Sequence, residues 1–258
     1  MRCDPGAHRR SAAAALLLGA VALRGTEDET AELAILRDAA ERGDVAAQVA
    51  YADRLATGRG VGRDLPAALE WWARAALQGR PDAMARVAEH LAAGEGVERD
   101  EARAVALWRR SADLGYAPSM YRLARALAEG RGGAADAKAA MLWLRRAAER
   151  GHPAAQMDLA RRLEEGPPPD PAAAAAWYEQ AAREGVVDAM LALARLHAEG
   201  RGVAADPYFA YVWCRLAALC DERRGAPVCD LLARTLSPTA RFRAGREAAA
   251  RAREWGLR

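Results

Sequence analysis

Small and apolar residues recur at spacings of three and four along most of the chain, interrupted by short polar stretches rich in Gly, Asp and Pro. That spacing places one apolar stripe on each of a series of short helices. Self-comparison turns the stripes into a repeat. Segments beginning at Gly43, Gly79, Gly115, Gly151 and Gly185 follow one another at intervals of 36, 36, 36 and 34 residues. The fifth position of each is small (Ala47, Ala83, Ser119, Ala155, Ala189), the sixth is Gln or Met, and the tenth is Ala52, Ala88, Ala124, Ala160 or Ala194. A second glycine follows at Gly58, Gly94, Gly130, Gly166 and Gly200, then an aspartate at Asp64, Asp100, Asp136, Asp170 and Asp206. Trp71, Leu107, Trp143, Trp177 and Trp213 stand seven residues beyond these aspartates.

Each feature has a structural meaning. The glycine after the first helix can take the left-handed conformation that ends it. The aspartate caps the second helix, with Pro171 and Pro207 at the first helical position, where a missing N–H costs nothing. The tenth-position alanine allows close helix approach, and the tryptophan supplies bulk for the next layer. A single hairpin cannot bury its apolar face, so the units must stack. The expectation is an all-α, right-handed α-solenoid of about five helix-turn-helix repeats with terminal capping helices.

The ends depart from the repeat. Residues 1–22 combine a basic head (Arg2, His8, Arg9, Arg10), the apolar run SAAAALLLGAVAL and the small tripeptide Ala20-Val21-Ala22. That order describes a secretory signal peptide, in an apolar run too short to span a bilayer comfortably. Residues 23–42 read as a linker and an N-terminal half-repeat helix (Asp28, Ile35, Ala39, Ala40), and 43–221 as the five repeats. Residues 222–258 read as C-terminal capping helices: an irregular DERRGAP, a short helix near CDLLARTL, and a last helix starting at Ser237-Pro238.

Composition agrees with helices and narrows the partners. Alanine supplies 68 of the 258 residues against two phenylalanines, and charged residues make up 28%. That balance favours closely packed helices and excludes a disordered chain. The net charge is +3. Removing 1–22 takes away three Arg and one Asp and leaves +1. Nothing in this balance resembles a protein that binds phosphate backbones, so nucleic acid is not an expected partner.

The repeat residues resemble the Sel-one-like repeat family, a tetratricopeptide-like class of helical solenoids. Residues 43–79, GDVAAQVAYADRLATGRGVGRDLPAALEWWARAALQG, look like a nearly complete copy of its unit, and the resemblance covers 28 to about 221. The C-terminal segment is similar to that of exported bacterial members. The fourth copy departs: GPPPDP replaces the usual loop and shortens it by two residues, so its stacking is expected to differ. Gly133 stands where the third loop should carry valine. The resemblance implies binding, since members are mostly adaptors or scaffolds, often in the bacterial envelope.

Candidate chemistry is sparse. His90 and His152 are isolated, and His197 occupies the position of Leu55, Leu91, Leu127 and Leu163, which suits a packed core residue. No metal-ligand motif and no cofactor motif is present. Some cysteine-rich members of the family are described as binding or hydrolysing β-lactams, which is the enzymatic alternative. Here Ala135 lies three residues before the only lysine, Lys138, so no S-x-x-K pair exists, and the repeats lack cysteine pairs. Cys220 at the end of one helix and Cys229 at the start of the next could form a disulfide across DERRGAP, leaving Cys214 over. Free buried thiols are the alternative.

The resemblance also supplies the phase of a partner groove on the first helices. The seventh residues, Val49, Ala85, Tyr121, Met157 and Leu191, would form an apolar stripe outside the core. The eleventh, Asp53, Glu89, Arg125, Arg161 and Arg195, change sign from acidic to basic. A groove centred on Tyr121, Arg125, Met157, Arg161, Leu191 and Arg195 suits an extended peptide or an amphipathic helix of a protein partner. The alternative is an ordinary Arg-rich surface. The expected protein is therefore a non-catalytic scaffold, periplasmic or secreted, with no stable membrane span once 1–22 is removed. A cytoplasmic repeat adaptor is the other reading of its location.

Overall fold

A computed structural model describes residues 31–257. The signal-like segment 1–22 and Asp28 lie outside the described residues. The chain divides into two compact units, one ending at Tyr116 and one beginning at Ala117. The described residues form thirteen helices and no strand. The first unit holds α1 (31–41), α2 (Val45–Thr57), α3 (Leu65–Leu77), α4 (Pro81–Ala93) and α5 (Glu101–Asp113). The second holds α6 (Ala117–Glu129), α7 (Ala137–Glu149), α8 (Pro153–Glu165), α9 (Pro171–Arg183), α10 (Val187–Glu199), α11 (Pro207–Cys220), α12 (Glu222–Ala233) and α13 (Pro238–Glu254).

One aspartate joins the two helices of every repeat. In the first unit the Asp64 N–H donates to the Leu55 carbonyl at 2.9 Å, while its carboxylate accepts from the Ala67 N–H at 3.0 Å. Asp100 does the same between Leu91 and Arg103, at 2.9 Å each way. In the second unit Asp136 links Leu127 to Ala139 and Asp170 links Leu163 to Ala173. Asp206 links His197 to Tyr208 and Phe209. The side chain satisfies an orphan donor of the second helix, and the backbone N–H satisfies a late carbonyl of the first.

Alanine lines the packed faces. All five tenth-position alanines are buried, as are Ala68, Ala104, Ala140, Ala174 and Ala210, four residues after each aspartate. In three of the five repeats the bulky layer sits one residue later than the tryptophan alignment predicts, while Trp143 and Trp213 are buried where it places them. Trp72, Trp108, Leu144, Tyr178 and Cys214 are buried in every repeat, whereas Trp71, Leu107 and Trp177 are only half-buried. The reason is helical phase. Ala68, Trp72 and Ala76 share one face at i, i+4, i+8, and Trp71 is rotated to the flank, edge-on to Tyr51 at 5.5 Å with Arg74 4.3 Å above its ring.

The C-terminal cap also differs from expectation. DERRGAP is not irregular: Asp221 caps α12, accepting from the Arg224 N–H at 3.3 Å, and the helix runs on through Pro227. Gly225 makes this possible, because a β-carbon there would fall 2.2 Å from the Ala218 nitrogen of α11. The disulfide follows from that geometry. Cys229 pairs with Cys214, not Cys220, with Cα atoms 5.4 Å apart, and Cys220 is free. In an antiparallel hairpin turning at Asp221, residues seven before and eight after lie level. Cys220 sits at the turn, about 12 Å along the axis from Cys229 at 1.5 Å per residue.

The fourth repeat loop is distinct, as its sequence suggests. Gly58, Gly94 and Gly200 close their helices in the left-handed region, but Gly166 is extended at φ −74°, ψ 158°. Pro167 disfavours a helical conformation in the residue before it. Elsewhere the second loop glycine makes the close contacts. Gly202 has φ 72°, and a β-carbon there would lie 2.3 Å from the Pro171 carbonyl at the start of α9. Gly151 has φ 78° with nothing within 4 Å. Gly202→Ala should therefore lower stability by about 2 kcal/mol or more, combining left-handed strain with a backbone clash. Gly151→Ala should lose only about 1 kcal/mol. Urea unfolding of the two variants checks the order.

Candidate interaction site

Much of the apolar stripe of seventh-position residues lies inside the packing rather than beyond it. In the first unit Ala85 is buried, and Val49 packs half-buried against Ala83 and Met84 of the following repeat. In the second unit Met157 is 8% exposed and belongs to the main core, with Leu191 packed against it. Stacking within each unit is the reason: Val49 in the first and Met157 in the second are packed into the following repeat. Tyr121 is half-buried, and its hydroxyl donates to Asp158 at 2.8 Å.

The eleventh-position charges are mostly committed within the chain. Asp53 accepts from the Trp72 indole at 3.1 Å, and Glu89 is half-buried on α4. Arg125 pairs with Glu129 one turn on, at 3.2 Å. Arg195 makes two bonds to Glu164, at 2.7 and 2.9 Å, and reaches Glu199 at 3.5 Å. Arg161 is exposed and makes no ion pair among the described residues. Of the three expected groove cations, it is the one without an ion pair among the described residues.

Glu164 is the residue the repeat alignment passes over. It is buried, accepts from the Tyr178 hydroxyl at 3.0 Å, and has Arg201 3.4 Å away. A buried carboxylate is tolerable only when paired and hydrogen-bonded. Burial and the Glu164 carboxylate both push the Tyr178 hydroxyl pKa upward, so Tyr178 remains a donor. The signal was present in the sequence: the positions equivalent to Glu164 are Ala56, Ala92, Ala128 and Ala198. The exception falls in the repeat with the shortened loop.

One open apolar surface remains on the first helices of the second unit. A cleft of about 490 Å³ lies between α10 and α12, lined by Leu191, Ala192, Arg195, Val228, Leu231 and Leu232. Leu231 is 63% exposed. The cleft contains two of the expected groove residues, Leu191 and Arg195. Its far wall could not be anticipated while DERRGAP was read as irregular. His197 is half-buried, 5.8 Å from the Phe209 ring, with its pKa lowered by burial, as a packed residue requires. No helix among the described residues is long and apolar enough to cross a membrane.

Comparison with known proteins identifies the architecture. The Sel1 repeat profile matches residues 45–79, 81–116, 117–152, 153–186 and 187–221, and the chain belongs to the Sel1 repeat family, with the all-α solenoid fold of that repeat. A structure of a Sel1 repeat protein from Oxalobacter formigenes is 32% identical, with a TM-score of 0.72, covering 78% of this chain and 58% of its own. A protective antigen of uropathogenic Escherichia coli, described as displaying an SLR fold, is 26% identical, with a TM-score of 0.74, covering 86% of this chain and 48% of its own. The chain thus spans about half the length of these relatives. No curated protein matches it. Sel1 repeats generally mediate protein interactions, and their fold is typically a non-catalytic scaffold.

The Tyr121 contacts generate a pH prediction. His152 caps α8, its Nδ1 accepting from the Ala155 N–H at 3.2 Å, and its ring stacks on Tyr121 at 4.7 Å. Burial, followed by the nearby Arg122 charge, lowers its pKa. Protonation would remove the lone pair that makes the cap. The unfolded chain binds the proton more readily, from about pH 6.5 downward, so stability is full above that pH and declines as pH falls toward the lower folded value. His152→Ser keeps a capping acceptor and removes the titration. The fall in melting temperature between about pH 6.5 and 5 should shrink in this variant, with His197 supplying the remainder. An unchanged slope would show that His152 does not titrate with folding.

Proposed function

We propose that this Sel1 repeat chain is a non-catalytic scaffold of the bacterial envelope that holds an apolar segment of a partner protein on the first helices of its second unit. The observation that carries the reading is the cleft between α10 and α12, where Leu191, Val228, Leu231 and Leu232 are left uncovered beside Arg195. Fully burying one leucine contributes roughly 1.5–3 kcal/mol, so a short apolar helix or strand seated here gains enough to be held specifically. Arg195 is held by Glu164, so its side chain is fixed at the rim as one half of a pair rather than as a free charge. Arg161 occupies the same register on α8 and offers a further cationic contact.

Leu231→Asp tests the site without disturbing the core, since the residue is exposed. Capture of a partner from the native envelope, identified by mass spectrometry, should weaken about tenfold or more, with helicity unchanged. Equal capture by this variant would place the partner elsewhere. Arg161→Glu should weaken capture less and mainly at low salt.

Export is supported by the tripartite pattern of residues 1–22 and by the Cys214–Cys229 disulfide, a bond that persists in oxidising compartments. The similar Escherichia coli protein, described as a protective antigen, accords with an envelope setting. Protein isolated from its native cells should begin at Leu23 and carry a Cys214–Cys229 cross-linked peptide with Cys220 free. A chain that begins at Met1 with all cysteines reduced would make it a cytoplasmic adaptor.

A further inference from the structure

We propose that the C-terminal cap carries a second binding surface, a cleft between α11 and α13 that takes an extended acidic segment of a partner protein. An apolar residue of that segment would rest on Phe242. The α10–α12 cleft is apolar and its one arginine is already paired, so the two surfaces select different chemistry. Neither depends on the other.

The cleft, of about 540 Å³, is lined by Arg215 of α11 and by Arg241, Phe242, Gly245 and Arg246 of α13, and no acidic residue lines it. The three arginines make no ion pair among the described residues. That is unlike the rest of the chain. Arg37, Arg42, Arg125, Arg183, Arg195 and Arg251 each pair with a carboxylate one helical turn away. Four residues to either side of Arg215, Arg241 and Arg246, every position is uncharged. The acid nearest in sequence, Glu247, is engaged by Arg251 at 2.7 Å and by the Tyr208 hydroxyl at 2.8 Å. Arg215 and Arg241 are also half-buried. Their charges are partly withdrawn from water with no counter-charge from the chain, a loss that a carboxylate from outside would offset.

Gly245 is the independent observation. A glycine inside a helix lowers stability relative to alanine, yet a β-carbon at this position would meet nothing within 4 Å and its φ is not positive. The chain's own packing gives no reason for it. A main chain approaching closely from outside does, because Gly245 leaves bare backbone in the cleft one turn from Arg241. An extended segment lying there places alternate side chains on one face, so its carboxylates can meet guanidinium groups from both helices. Phe242, 68% exposed, supplies the apolar contact. A flat anionic lipid surface would meet the exposed Phe242, Arg243 and Arg246 and leave the half-buried Arg215 and Arg241 unmatched. A narrow chain reaches all of the cleft.

Fluorescence anisotropy on the full chain tests this with a labelled peptide of repeated Glu-Leu-Asp, and with the same peptide carrying Gln and Asn in place of the acids. The acidic probe should bind saturably and more weakly as salt rises, and the neutral one should not bind. R241E/R246E should weaken binding about tenfold or more with helicity unchanged. R109E/R145E removes the same charge from exposed arginines outside the cleft and should bind as the unaltered chain does. G245L fills the cleft floor while keeping every arginine, and should also lose the probe. L231D should bind it normally, so that failure of this surface and failure of the α10–α12 cleft are distinguishable. No binding of the acidic probe would overturn the proposal, as would full binding by R241E/R246E or G245L, or an equal loss in R109E/R145E. Tighter binding to phosphatidylglycerol vesicles than to the peptide would also overturn it and assign the arginines to a lipid surface.

Discussion

The geometry of every hairpin rests on one aspartate with two jobs. Its backbone N–H closes the end of the first helix and its carboxylate opens the second, so a single residue sets both the length of the loop and the angle at which the helices meet. Alanines on the facing surfaces can then pack with little side chain between the backbones. Were the loop longer or the cap absent, neither helix would have a reason to stop where it does, and thirteen-residue helices are marginal without tertiary packing. The repeat is therefore enforced locally by hydrogen bonds and stabilised collectively by burial.

That constraint explains why the fourth repeat tolerates a different loop. Asp170 still bonds Leu163 and still caps α9, although Gly166 is extended and the loop is two residues shorter. Where small residues line the end of the first helix elsewhere, this repeat places Glu164, and the exception is compensated by Tyr178, Arg195 and Arg201. Removing one partner from such a group would leave a buried charge short of bonds, which costs more than the pair itself contributes. The network ties α8, α9 and α10 together by polar contacts and takes Arg195 out of the pool of free surface cations.

The proposed function rests on what stacking leaves uncovered. The repeat interior takes up the seventh-position side chains except Leu191, so apolar surface survives where the repeat ends: along α10 beside α12, and at the terminal helices. The disulfide between Cys214 and Cys229 holds α12 against α11 and so fixes one wall of the α10–α12 cleft. Uncovered apolar surface in this chain arises at departures from the repeat, not from its average.

The number of repeats, the order of their helices, the capping aspartates and the alanine faces are legible in the sequence, because each is a short-range pattern repeated five times. Glu164 was visible too, as one glutamate in a column of alanines. The tertiary structure alone decided which side chains stayed open. Met157 and Tyr121 sit in register with a groove, but the next repeat covers the first and Asp158 engages the second. It also decided that Trp72 and Tyr178 point inward rather than their neighbours Trp71 and Trp177, and that Cys229 meets Cys214. A one-residue rotation on a helix, or an unrecognised turn of helix in DERRGAP, changes which partners face each other, and local periodicity carries no information about what lies across the gap.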